Sequence, residues 1–179
     1  MIVAVLALLA VLAVPLTGGS FQRLGQVPIR AWWLLPLALI LQVLVITVLT
    51  DLPEGLAAGI HLATYGLAGL FLWLNRAIRG VPLLAAGAVL NGVTIAVNGG
   101  TLPASEWAVR TAGLEGKEGF TNSGVLENPR LLWLGDVFAI PEGLPLANVF
   151  SIGDVLIVAG VAVLVVVNSR ERKPVETHF

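Results

Sequence analysis

The chain has 179 residues and a formal net charge of −1, with 57% hydrophobic residues, only 12% charged residues and a mean hydropathy of +0.93. A soluble domain carries about 25% charged and 45–50% apolar residues. This composition therefore excludes a disordered chain, a nucleic-acid binder and an ordinary soluble enzyme domain. The absence of cysteine removes disulfides, thiolate metal sites and cysteine nucleophiles. Of the two histidines one is penultimate, so no multi-histidine metal site and no bis-histidine haem is expected. No cofactor is implied.

A bilayer core of about 30 Å takes roughly 17–25 apolar residues as a helix. Five stretches meet that test in chain order: about 1–16, 31–50, 56–74, 81–97 and 149–167. The first lacks a basic leader and a small-x-small cleavage site, so it reads as an uncleaved helix rather than a secretory signal. Gly18-Gly19, Pro53 with Gly55, Gly80 ahead of Pro82, and Gly99-Gly100 punctuate the spans.

The expected fold class is all-α, a polytopic transmembrane bundle of five spans forming one domain over residues 1–179. Arg23 and Arg30 lie in the first connection, Arg76 and Arg79 in the third, and Arg170, Arg172 and Lys173 in the tail at 168–179. Basic residues mark cytoplasmic loops. The alternation predicts the N-terminus outside, the C-terminus inside and a multi-pass protein of the bacterial cytoplasmic membrane.

That topology puts 98–148 outside as a long structured loop. Ser105 reads as an N-cap ahead of Trp107, Val109 and Ala112, and Leu131–Leu134 is too apolar to hang in water. The loop is expected to fold onto the membrane surface as a lid, with Trp107 and Trp133 at headgroup depth.

Polar residues inside the spans are few, and each needs a partner or a wet cavity. His61, Thr64 and Tyr65 share one helical face, as do Asn91, Thr94 and Asn98. Ser151 and Asp154 sit near the start of the last span, and Gln42 stands alone in the second. At 1.5 Å per residue, His61 and Asp154 lie roughly 8 Å below the outer face. The residues His61, Tyr65, Asn91, Thr94, Asn98, Ser151 and Asp154 are thus expected to line a polar pocket in the outer leaflet. An intramembrane carboxylate is a functional candidate by default. Its structural reading is a helix–helix packing contact.

Phe150-Ser151-Ile152-Gly153-Asp154, followed by Ile157 and Gly160, resembles the second aspartate motif of signal peptidase II, the lipoprotein signal peptidase. Asp136 precedes Asp154 by 18 residues, similar to the separation of that family's two catalytic aspartates. Trp133 and Val137 stand where the family's first motif has asparagine and arginine, and Ser151 where its second has asparagine. The resemblance implies an aspartyl peptidase working within the membrane through Asp136 and Asp154. Over its whole length the chain resembles an uncharacterised family of bacterial five-helix membrane proteins, a domain of unknown function. The runs that carry this are Asn-Gly-Gly-Thr-Leu-Pro at 98–103 and Asn-Val-Phe-Ser-Ile-Gly-Asp at 148–154.

The leading expectation is a non-catalytic integral membrane protein. Its partners would be the lipid bilayer and an apolar or amphiphilic ligand, or a partner membrane subunit docked at the polar pocket. The alternative is an aspartyl hydrolase in which Asp136 and Asp154 share a proton and activate water. A proton or ion relay through Asp154 and His61 would need polar positions in both leaflets. The inner halves of the spans offer little beyond Gln42.

Overall fold

The computed structural model describes residues 2–44, 54–115 and 123–170. Helix α1 (Ile2–Leu12) is followed by a 3-10 turn at Pro15–Thr17 and a short α2 (Phe21–Leu24). Next come α3 (Leu34–Val43), α4 (Glu54–Leu74) and α5 (Val81–Val97). The segment after α5 holds β1 (Leu102–Pro103), α6 (Glu106–Thr111), β2 (Ser123–Gly124), a 3-10 turn at Leu132–Leu134, β3 (Phe138–Ile140) and β4 (Asn148–Phe150). Helix α7 (Ile152–Ser169) closes the described chain.

This architecture corrects the all-α five-span expectation. Among the described residues only α7 is both long and apolar enough to cross a membrane. At 1.5 Å per residue, the 11 residues of α1 rise only about 16 Å, half a bilayer core. Apolar composition runs straight through backbone punctuation after α1 and ahead of α3. Pro15 opens the 3-10 turn and Gly18 follows it in the left-handed region. The apolar stretch expected from residue 31 begins with Ala31 at φ 49°, so α3 starts only at Leu34. Residues 45–50 of that expected span lie outside the described residues. Among the described residues, α5 and the Ala63–Leu74 stretch of α4 are apolar but shorter than α7.

The segment expected as a lid contains two small sheets, which an all-α reading does not accommodate. Strands β1 and β2 pair in parallel, Leu102 with Ser123 and Pro103 with Gly124. Strands β3 and β4 pair antiparallel, with Phe138 stacked on Phe150 at 5.3 Å between ring centroids. A small core of Ala104, Ala108, Val109, Ala112 and Val149 joins α6 to β4. Two expectations for this segment hold at the level of local structure. The Ser105 side chain caps α6 by accepting from Ala108 N–H at 3.2 Å. Leu134 of the Leu131–Leu134 run is buried, while Trp107 and Trp133 remain exposed.

Helices α5 and α7 run antiparallel in the closest packing of the molecule, and glycine makes it possible. A Cβ on Gly87 would overlap the Gly153 carbonyl and meet Ile157 Cγ1 at 2.8 Å. One on Gly160 would meet Leu84 N at 2.6 Å and the Gly80 carbonyl at 2.9 Å. Small residues of this kind let two helix backbones touch. This seam fixes which side chains face each other at either end of α7.

Candidate functional site

At the start of α7, Ser151 is the N-cap and Asp154 the third helical residue. The Ser151 hydroxyl accepts from Asp154 N–H at 3.0 Å, and Asp154 Oδ2 accepts from Ser151 N–H at 3.1 Å. The pair forms a capping box that satisfies two otherwise orphaned donors, with the acidic residue favourably placed in the first turn. Asn91 of α5 completes a closed ring. Its Nδ2 donates to Asp154 Oδ1 at 3.0 Å, and its Oδ1 accepts from the Ser151 hydroxyl at 2.8 Å. Gly153 is what lets Asn91 in, since a Cβ there would overlap the Asn91 amide.

Three of the expected pocket residues, Asn91, Ser151 and Asp154, therefore come together. Others on the same helix have separate tasks. The Thr94 hydroxyl is fully buried and donates back to the Leu90 carbonyl at 2.8 Å. Asn98 Oδ1 accepts from Arg130 N–H, and its Nδ2 donates to the Arg130 carbonyl, both at 2.7 Å. Asn98 thus acts as a backbone clamp that moors the following segment to the end of α5. Tyr65, on α4, is 46% exposed, and Thr64 beside it is buried. The side chains of His61 and Gln42 lie outside the described residues.

Asp136 is 4% exposed and is seated by the segment that begins with the Asn98–Pro103 run. Its backbone N–H donates to the Pro103 carbonyl at 2.9 Å, and its carbonyl accepts from Ser105 N–H at 3.1 Å. Ala104 and Asp136 form a parallel bridge. Gly135 is required there because a Cβ would overlap the Pro103 carbonyl. Asp136 Oδ2 accepts from the Ser123 hydroxyl at 2.5 Å, whereas Oδ1 is buried with no hydrogen-bond partner among the described residues. Burial pushes the Asp136 carboxyl up to about 6; the Ser123 hydrogen bond opposes this and the charge of Asp154 adds to it. The two aspartates therefore feel one another across the junction of α7 and the preceding segment.

Residues 26–166 match the profile of a family of unknown function, DUF5317. The chain belongs to that family. The matched stretch contains Asn91, Asp136, Ser151 and Asp154. A relative in Thermotoga maritima, described only as an uncharacterized protein, is 33% identical over 100 residues, or 56% of this chain. The chain spans 58% of that relative's length. No solved structure matches.

Beside the ring, this DUF5317 protein has an apolar groove of about 350 Å3 between α1, α7 and the β3–β4 hairpin. Val3 and Leu6 line one side, Ile140 and Phe150 another, and Val155 and Val158 the floor. Among the described residues Asp154 is its only ionisable lining residue. Among the described residues no three His, Asp or Glu side chains gather into a metal seat.

Sequence reasoning missed Ser123, which partners Asp136 from a two-residue strand that no periodicity marks. It also missed Asn75, buried at the end of α4, where Oδ1 accepts from Arg30 N–H at 2.8 Å and Nδ2 donates to the Arg30 carbonyl at 2.9 Å. The available signal was an asparagine closing an apolar helix, where an amide that mimics a backbone unit is useful.

Proposed function

We propose that this DUF5317 protein is seated in a membrane through α7 and binds an amphiphilic ligand at its groove. The apolar portion of the ligand lies between α1 and α7, and its polar end meets the Asn91–Ser151–Asp154 ring. The observation that carries this reading is the placement of Asp154, a single carboxylate on the wall of an otherwise apolar groove. A cavity of about 350 Å3 falls within the usual 300–1,000 Å3 range for small-molecule sites, which are mostly apolar with a few placed polar groups. Because both Asp154 oxygens already accept hydrogen bonds, the carboxylate is held in a fixed orientation for a donor on the ligand.

Native mass spectrometry of the protein extracted in a mild detergent tests the reading. The unaltered chain should carry a co-purifying amphiphile, and Val158→Trp, which fills the groove floor, should lose it. An adduct of equal occupancy in both would overturn the proposal.

One observation favours a second reading, hydrolysis by an aspartate pair. Asp136 is buried, holds its proton to about pH 6, and titrates under the influence of Asp154. Two carboxyl groups that act on one water can polarise a carbonyl while that water is activated. Cleavage of a membrane-anchored peptide, abolished by Asp136→Asn and Asp154→Asn separately, would support it. Cleavage that survives either substitution would end it.

A further inference from the structure

At the other end of α7 lies a cavity of about 590 Å3, and five arginines line it: Arg23, Arg30, Arg76, Arg79 and Arg170. These are half of the ten basic residues in the chain, gathered from two connections and the C-terminal tail. No aspartate or glutamate among the described residues lines the cavity.

Four of the arginines, Arg30, Arg76, Arg79 and Arg170, are in contact with neutral groups. Arg30 is pinned by the Asn75 amide, which binds both its N–H and its carbonyl. The Arg79 carbonyl accepts from Asn168 Nδ2 at 3.2 Å. Arg170 Nε donates to the Thr17 carbonyl at 2.9 Å, and Arg76 donates to the Trp73 carbonyl at 2.8 Å while lying over the Trp73 ring. Carbonyls orient the Arg76 and Arg170 guanidinium groups without neutralising them, and Arg30 and Arg79 are fixed by their backbones.

We propose that this cavity binds a phosphate-bearing anion, gripped by Arg30, Arg76, Arg79 and Arg170. Arginine suits this chemistry because its planar fork meets phosphate oxygens in a bidentate fashion and stays charged in any surroundings. The general preference for basic loops on one side of a membrane explains positive charge at this end. It does not explain why the charges line one concavity on mooring amides that fix their backbones. Preorganisation of this kind lowers the cost of binding. The inference is independent of the groove at the opposite end of α7.

The anion could be free in solution or part of a lipid headgroup, and two arms separate these sources. In the first, the unfolding midpoint of the full chain in a neutral detergent is followed on adding inorganic pyrophosphate, against sodium chloride of equal ionic strength. In the second, the chain is reconstituted into phosphatidylcholine vesicles with and without phosphatidylglycerol. A raised midpoint with pyrophosphate identifies a soluble ligand, and one seen only with phosphatidylglycerol identifies a headgroup.

In either case Arg30→Gln with Arg79→Gln should weaken the response at least about tenfold. Arg110→Gln with Arg130→Gln, which removes the same charge elsewhere, should leave it intact. Arg30→Lys with Arg79→Lys keeps the charge and the fold but loses the fork, and should give a weakened response. No response in either arm, or an equal loss in the two glutamine pairs, overturns the proposal.

Discussion

Where α7 begins, Asp154, Ser151 and Asn91 close a ring of four hydrogen bonds around one carboxylate, with the buried Asp136 close enough to add its charge. Some 14 residues later, about 21 Å along the same helix, Asn168 and Arg170 border a cavity whose described ionisable lining is wholly arginine. Both ends use the same mooring device. Asn98 clamps the backbone of Arg130 near the first, and Asn75 clamps the backbone of Arg30 at the second. Each clamped arginine is followed by a residue with positive φ, Leu131 at 54° and Ala31 at 49°. The ends differ in how they treat charge. The aspartate end engages it through hydrogen bonds from its own side chains and leaves one buried Asp136 oxygen without a partner among the described residues, whereas the arginine end turns it toward an open cavity.

The two ends share the α5–α7 seam, so the most damaging substitution should fall there. Gly87→Leu would drive a side chain into the Gly153 carbonyl and Ile157, with backbone on the far side and no flexible neighbour to yield. Overpacking costs typically 1–3 kcal/mol, and here at least about 3 kcal/mol is expected because backbone must move. Denaturant unfolding in detergent should show the loss, and both the Asp154 ring and the anion cavity should fail together. Loss at one end alone would mean that the ends are built independently.

Acidity should separate the ends. The Asp136 carboxyl titrates near 6 when folded and near 3.8 in a model peptide. Below pH 3.8 the proton is bound in both states, and the folded chain has its full advantage. Between about 4 and 6 the folded state holds a proton that the unfolded state has released, so stability falls as pH rises. About two pH units at 1.36 kcal/mol each amount to roughly 3 kcal/mol. Asp136→Asn should flatten the profile over that window. The arginine end should not contribute a titration of its own between pH 5 and 7, because guanidinium does not titrate there, and any change in the anion response over that window should follow the ionisation of the added phosphate. A stability profile that is flat without the substitution would mean that water reaches Asp136.

Much of the aspartate end was legible in the sequence and little of the arginine end was. Asn91, Ser151 and Asp154 stood out because polar residues in apolar stretches are rare, whereas their capping relation, present in the Ser-x-x-Asp spacing, went unread. The expectation of five spans failed because hydropathy does not register backbone punctuation. Pro15, Gly18 and the left-handed Ala31 end or delay helices inside runs that are apolar throughout. The sheets went unseen because strands of two or three residues have no periodicity to read. The Asn75 and Asn98 clamps join residues 45 and 32 positions apart, which is a tertiary fact. The arginines were visible one by one, and only the fold places them around one cavity.

The clamps permit a comparison of intermediate size. Asn75 is 2% exposed and also donates to the Phe71 carbonyl at 2.8 Å, so Asn75→Ala removes the partner of two part-buried backbone groups of Arg30. About 2 kcal/mol should be lost, since an unsatisfied buried polar group costs about 1–3 kcal/mol. Asn98 lies nearer the surface, where water can replace its amide, and Asn98→Ala should cost about 1 kcal/mol. Hydrogen exchange at the Arg30 and Arg130 amides would check this residue by residue. Equal protection losses at the two amides would remove the distinction between the ends.

The smallest effects concern charges already in contact with solvent. Arg76 lies 4.1 Å above the Trp73 ring at the arginine end, and Arg110 faces Glu106 at 3.8 Å on α6. Arg76→Gln should cost about 0.5 kcal/mol, the value of an exposed cation–π contact. Arg110→Gln should cost less, because the side chains of the pair are 59% and 71% exposed and an i,i+4 ion pair gives about 0.3–0.5 kcal/mol before salt screening. Added salt discriminates between them. Raising ionic strength should erase the Arg110 effect, while the Arg76 effect survives in part because the ring also gives packing area. If the cavity holds a phosphate-bearing anion, Arg76→Gln should also cost more in pyrophosphate than in chloride, and Arg110→Gln should cost the same in both. Equal costs for Arg76→Gln in the two salts would confine that arginine to its stacking on Trp73.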